Sequence, residues 1–116
     1  MHFETLVEGG TYGIELDDQV LGLVARERVK ANMQHGGPSS DDDNGADDWL
    51  RYIARQIVRG REEVTKIHLQ CVDDHTFNHL VGQEIEDRLI KIAGLALAAL
   101  ESRRRRQAAA NARVSE

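Results

Sequence analysis

Residues 81–100, VGQEIEDRLIKIAGLALAAL, decide how this chain folds. At roughly 100° per residue, Val81, Ile85, Leu89, Ile92, Ala96, Ala99 and Leu100 fall within one broad apolar stripe. The spacing predicts a long helix from about Thr76 to about Arg106, with that stripe as its core face. The alanines and Gly94 leave room for close approach of another helix, from the same chain or from a second copy.

Working outward, two earlier segments carry the same period. Val20, Leu23 and Val24 recur at helical spacing after Asp17 and Asp18, acids that favour a helix start, and this first helix is expected to run to about Asn32. Asp47 is placed to cap a second helix in which Leu50, Ile53, Ala54, Ile57, Val64 and Ile67 follow the 3.6-residue repeat, with Gly60 a point where it kinks or ends. Between them, residues 36–46 form an acidic Gly/Pro loop. Residues 1–16, with Gly9, Gly10 and Gly13, suit a short hairpin or an irregular arm, Cys71 to Thr76 a turn, and residues 107–116 a flexible tail. The expectation is an all-α fold: a single domain over 1–116, a helical bundle of three main helices with an N-terminal arm, open to completion by dimerisation. Composition agrees, because 41% hydrophobic but only 4% aromatic residues call for an aliphatic core of the kind packed helices make.

The formal charge of −5 argues against direct nucleic-acid binding, whose affinity comes mainly from Lys and Arg releasing counterions from phosphates. The basic run Arg103 to Arg106 sits where cations complement a helix C-terminus. Cys71 is the only cysteine, so no internal disulfide forms, and a reducing, cytoplasmic setting is expected. Acids and glycines interrupt the first twenty or so residues, and no apolar run approaches membrane-spanning length, so no membrane partner is expected.

The chemistry-bearing pattern is Glu62-Glu63-Val64-Thr65-Lys66 with Glu84-Ile85-Glu86-Asp87. Hard divalent cations take several oxygen ligands, and carboxylates on facing helices can supply them around a nucleotide's phosphates. The same acids also stand four residues ahead of cations: Glu62 before Lys66, Glu84 before Arg88, Asp87 before Lys91. Each is a favourable surface pair worth about 0.3–0.5 kcal/mol. On the third helix Glu84 and Asp87 lie roughly 110–170° from the centre of the apolar stripe and are expected to face outward in a monomer.

Glu27-Arg28, Gly36-Gly37-Pro38, Asp41-Asp42 and the helix start Asp48-Trp49-Leu50, together with the alanine-rich run Arg88 to Ser102, resemble small MazG-like proteins. These are all-α nucleotide pyrophosphohydrolases and divergent relatives, many encoded by phages and mobile elements. The match spans roughly residues 20–106. What the resemblance implies is a Glu-Glu-x-x-Glu motif on one helix and Glu-x-x-Asp on the next, holding magnesium against a triphosphate. Glu62, Glu63, Glu84 and Asp87 match those positions, whereas Lys66 replaces the third acid. An ammonium cannot coordinate a cation, so affinity for Mg2+ is expected to fall.

Other candidates are weaker. His75 and His79, four apart beside Asp73 and Asp74, could offer imidazoles to zinc or nickel with His68 as a third ligand, but Thr76 stands where hydrolytic zinc helices carry Glu. Cys71 lacks a nucleophile's setting. Neither a phosphate-cradling glycine loop nor a serine elbow occurs. The densest one-signed patch is Asp41, Asp42, Asp43, Asp47 and Asp48, able to steer toward a basic surface, with Trp49 or Tyr52 as an exposed anchor.

The leading expectation is a non-catalytic protein-binding inhibitor with no cofactor. Asp41, Asp42, Asp43, Asp47, Asp48 and Trp49 would contact a protein partner with a basic surface and occlude a nucleic-acid-handling site. Given the phage associations of the resembled group, a counter-defence, anti-CRISPR-like role is its sharpest form. The alternative is a Mg2+-dependent nucleoside triphosphate pyrophosphohydrolase using Glu62, Glu63, Glu84 and Asp87, which needs a homodimer to complete its cleft. A second alternative is a structural helical dimer in a larger assembly.

Overall fold

A computed structural model describes residues 1–70 and 73–115. Within them, strands β1 (His2–Val7) and β2 (Gly10–Glu15) precede helices α1 (Asp18–His35), α2 (Pro38–Asp41), α3 (Ala46–Gln70) and α4 (Asp74–Ser115). The chain is mainly α-helical, as the periodicity predicts.

Local chemistry sets the helix ends. Asp17 is the N-cap of α1, its carboxylate accepting from the Gln19 and Val20 N–H groups at 2.8 and 3.1 Å. Gly36, at φ +94°, adopts the left-handed conformation that closes α1 and donates to the Asn32 carbonyl at 3.0 Å. The helix therefore runs to His35, past the expected end at Asn32. Gly37, also at positive φ, then turns the chain into Pro38, the first residue of α2, where a missing N–H costs nothing. The loop expected over 36–46 thus contains one short helix.

At the start of α3 the carboxylate of Asp48 reaches back to the Gly45 N–H at 2.9 Å. The capping acid is Asp48, one residue on from the expected Asp47, whose side chain is 90% exposed. Gly60 does not end α3, which continues to Gln70. Asp73 caps α4 by accepting from the Thr76 N–H at 2.7 Å. From there α4 runs 42 residues, and the expected flexible tail is helical through Ser115, since its alanines favour helix even without packing.

At 1.5 Å per residue α4 spans about 63 Å, and the molecule is 65 Å in its longest dimension. All other helices pack on it. The face they cover is centred on Gly94, Ala98 and Ser102, one helical turn apart. Ser102 is the most deeply buried side chain among the described residues, at 1% exposure. The apolar stripe expected to form the core does not: Ile85, Leu89 and Leu100 are exposed, on a face rotated about 140–180° from the packed one. Small residues win the interior because they let backbones approach. A Cβ on Gly94 would stand 3.3 Å from Cγ of Glu27, so the glycine admits α1.

Among the described residues only Val24, Trp49 and Ala98 are buried hydrophobics. The radius of gyration is 18.4 Å, against about 13 Å for a compact domain of this length. The N-terminal ribbon contributes to this openness. Its register pairs Phe3 with Ile14 and Thr5 with Tyr12, placing Phe3, Tyr12 and Ile14 on one side, all exposed. It is tied to the body by the Met1 ammonium, 3.1 Å from Glu15 and 2.7 Å from Asp18.

Candidate functional site

Two side-chain clusters draw on the residues that the sequence singles out: the acidic loop against α4, and the glutamates between α3 and α4. In the first, the loop after α1 folds back because its aspartates meet arginines far along the chain. The side chain of Asp41 is 14% exposed and lies 3.5 Å from the Arg28 guanidinium, which also faces Glu101 at 3.6 Å. Asp42 accepts from the Ser102 hydroxyl at 2.8 Å and from Arg105 Nε and Nη2 at 3.1 and 2.8 Å. Those bonds, the Arg105 contact first and Ser102 second, hold the Asp42 carboxyl below the usual carboxylate range, and Asp42 in turn raises Arg105. Arg106 donates to the backbone carbonyls of Asp42 and Asn44.

Two of the five candidate steering aspartates are therefore engaged inside the fold. Asp48 is partly engaged as well, bonded to the Gly45 N–H and to Arg51, and both bonds lower its carboxyl, the backbone one more. Asp43 and Asp47 remain exposed. Trp49 is not the exposed anchor expected from its position among acids: it is 6% exposed, packed edge-on against Tyr52 with ring centroids 6.1 Å apart. Burial follows from its place on the inward face of the first turn of α3, one residue after the cap. Tyr52 is half-buried, donating its hydroxyl to Asn44 Oδ1 at 2.9 Å.

The residues that carried the family resemblance in the first half of the chain meet in this cluster. Glu27 covers Gly94, Arg28 faces Asp41, and Asp42 binds Ser102. Sequence reasoning missed the partners Arg105 and Arg106, which it assigned to a helix terminus. Their signal was available only as a basic run, because the acids they fasten lie more than sixty positions earlier. Beside the cluster, α1, α3, α4 and the loop enclose an open groove of about 650 Å³. Arg55, Arg59 and Lys91 on its walls have no ion-pair partner among the described residues.

In the second cluster, Glu84 was expected to face outward and instead lies half-buried on the face that packs toward α3. Arg88 grips it, with Nε at 3.0 Å and Nη2 at 2.6 Å, while Arg88 Nη1 donates to Gln56 Oε1 on α3 at 2.7 Å. Gly60 makes room for this bridge: a Cβ there would stand 3.0 Å from Arg88 Cγ. Glu63 pairs with Lys66 at 3.2 Å, so the lysine takes the acid three residues back rather than Glu62. Glu62 and Asp87 are exposed.

Among the described residues no group of three or more His, Cys, Asp or Glu side chains converges as a metal site, which covers both the four candidate magnesium ligands and the histidines. His75 and His79 are exposed, and His68 packs on Phe77 with ring centroids 5.3 Å apart. Cys71 lies outside the described residues. No described helix is long and apolar enough to cross a membrane. No protein-family model, curated protein or solved structure matches the chain.

Proposed function

We propose that this chain is a non-catalytic protein-binding module that acts by occluding a basic surface on its partner, steered by the exposed carboxylates Asp43 and Asp47. The observation that carries the reading is the Arg88 bridge. Glu84, the best-placed of the candidate magnesium ligands, already accepts from the Arg88 guanidinium through Oε1, and Glu63 sits beside an ammonium. A divalent cation at either carboxylate would sit beside a fixed positive charge, at an electrostatic cost. The resemblance to phage-encoded MazG-like proteins favours a counter-defence setting, with a nucleic-acid-handling enzyme as the occluded partner.

Narrowing the steering edge to Asp43 and Asp47 changes the test. Replacing Asp41 or Asp42 would unfasten the loop, whereas Asp43→Asn with Asp47→Asn alters exposed charge at the loss only of the solvent-exposed Asp47–Arg51 pair at 3.8 Å. Capture of a basic partner by the wild type, lost at high salt and reduced several-fold in the double variant, supports the reading. Recovery equal in both proteins removes the acidic edge from it. Magnesium-dependent pyrophosphate release from a nucleotide panel, abolished by Glu63→Gln and by Asp87→Asn, would replace the proposal with the hydrolase alternative.

A further inference from the structure

The groove that α1, α3, α4 and the acidic loop enclose carries opposite charges toward its two ends. Arg51, Arg55 and Arg59 recur every four residues along α3, so each guanidinium stands one turn from the next, where like charges repel. Arg51 is engaged with Asp47 and Asp48. Arg55 and Arg59 line the groove together with Lys91 of α4, and none of the three has an ion-pair partner among the described residues. The acids one turn away on the same helices do not relieve them: Glu63 takes Lys66 at 3.2 Å, and Asp87 forms no ion pair among the described residues. Toward the other end Asp43 lies in the loop next to Asn44, which receives the Tyr52 hydroxyl at 2.9 Å. Trp49, also on the wall, is 6% exposed and keeps its indole N–H without an acceptor among the described residues. From Trp49 to Arg59 the α3 wall rises about 15 Å, the reach of about four or five residues of extended chain.

We propose that this groove takes a short extended segment of a partner protein, with an acidic side chain among Arg55, Arg59 and Lys91 and a basic one against Asp43. The charge balance of the walls decides the class of occupant. Arg28 and Asp41 face each other at 3.5 Å, which with His35 neutral leaves the cations Arg55, Arg59 and Lys91 against the carboxylates Glu27 and Asp43. A polyphosphate without a metal ion would bring several negative charges to a surplus of one positive charge, and would meet both carboxylates. A peptide carries both signs and can match their order along the groove. Paired arginines are a recurrent receptor for acidic motifs, since each guanidinium can take a carboxylate through two N–H bonds. The groove volume of about 650 Å³ is on the scale of a ligand that size. The inference rests on the proposed protein-binding role and adds to it the segment that enters: an acidic residue about three positions from a basic one.

The probe is the capped peptide acetyl-Lys-Gly-Gly-Glu-Glu-amide, titrated into the full chain by calorimetry at low ionic strength. Trp49 is the chain's single tryptophan and lines the groove, so its fluorescence reports where the peptide sits. Saturable binding is expected, weakened several-fold by added salt and about tenfold or more by Arg55→Glu with Arg59→Glu. Arg26→Glu, at an exposed α1 position outside the groove, changes the charge in the same sense and should leave binding intact. Absence of saturable heat at millimolar peptide, or equal binding by the double arginine variant, overturns the proposal. So does equal affinity for acetyl-Lys-Gly-Gly-Lys-Lys-amide, or tighter binding of tripolyphosphate in the presence of EDTA, which would mark a phosphate site instead. The two readings fail separately. Partner capture that needs Asp43 and Asp47 but survives the double arginine variant, with no peptide bound, removes the segment and keeps the acidic edge. Arginine-dependent peptide binding beside capture insensitive to Asp43 and Asp47 removes the edge and keeps the cationic end.

Discussion

Replacing Gly60 with alanine sets two calculable effects against each other. In the interior of α3, alanine is favoured over glycine by roughly 1 kcal/mol through backbone entropy alone. At this position, however, the new methyl would stand 3.0 Å from Cγ and 3.4 Å from Nε of Arg88. The stem of Arg88 must move, and its head is held by Glu84 at 2.6 Å and Gln56 at 2.7 Å. Losing the bond to Gln56 costs about 1.5–3 kcal/mol, the range for a hydrogen bond to a charged group. The expected balance is a destabilisation of about 0.5–2 kcal/mol. Gly22→Ala is the matched control, since that glycine is also inside a helix and its new methyl would meet nothing within 4 Å. It should stabilise by about 0.5–1 kcal/mol. Thermal unfolding followed by circular dichroism at one protein concentration separates the pair, because 1 kcal/mol shifts the midpoint by roughly 3–6 °C in a chain of this size. If Gly60→Ala raises the midpoint as much as Gly22→Ala does, the Arg88 bridge is not the constraint that excludes a side chain there.

Two further outcomes are expected. Trp49→Ala should cost about 3–5 kcal/mol, whereas Trp49→Phe should cost far less, because the indole N–H is buried without a hydrogen-bond partner among the described residues and phenylalanine forfeits only volume; equal losses by chemical denaturation would contradict this. Asp42 titrates below its unfolded value, so the stability it contributes is complete above about pH 4 and disappears as pH falls through the folded-state value. Asp42→Asn should therefore show a flatter decline of thermal midpoint between pH 5 and 3 than the wild type, and parallel curves would remove the Asp42 clamp from the stability account.

The helices were legible because periodicity and caps are local: Asp17 and the apolar spacing of α1, α3 and α4 mark them without reference to the rest of the chain. Which side of α4 turns inward was not legible. Its sequence offers a stripe of large aliphatic residues and a row of small ones, Gly94, Ala98 and Ser102. Periodicity registers the first, while close packing within one chain uses the second. The acidic loop misled for a related reason. Aspartates in a Gly/Pro segment are ordinarily solvated, and nothing near Asp41 or Asp42 reveals that Arg28, Ser102 and Arg105 will claim them. Trp49 shows the same limit, since acidic neighbours in sequence do not fix which way a helical residue points.

The order in which the elements leave the ribosome gives the central position of α4 a further meaning. Helices α1, α2 and α3 each have α4 as their principal packing partner, and α4 is the last element of the described chain. Helices α1, α2 and α3 therefore lack their main packing surface until α4 has been made, so they stay unpacked on one another while that helix is being synthesised.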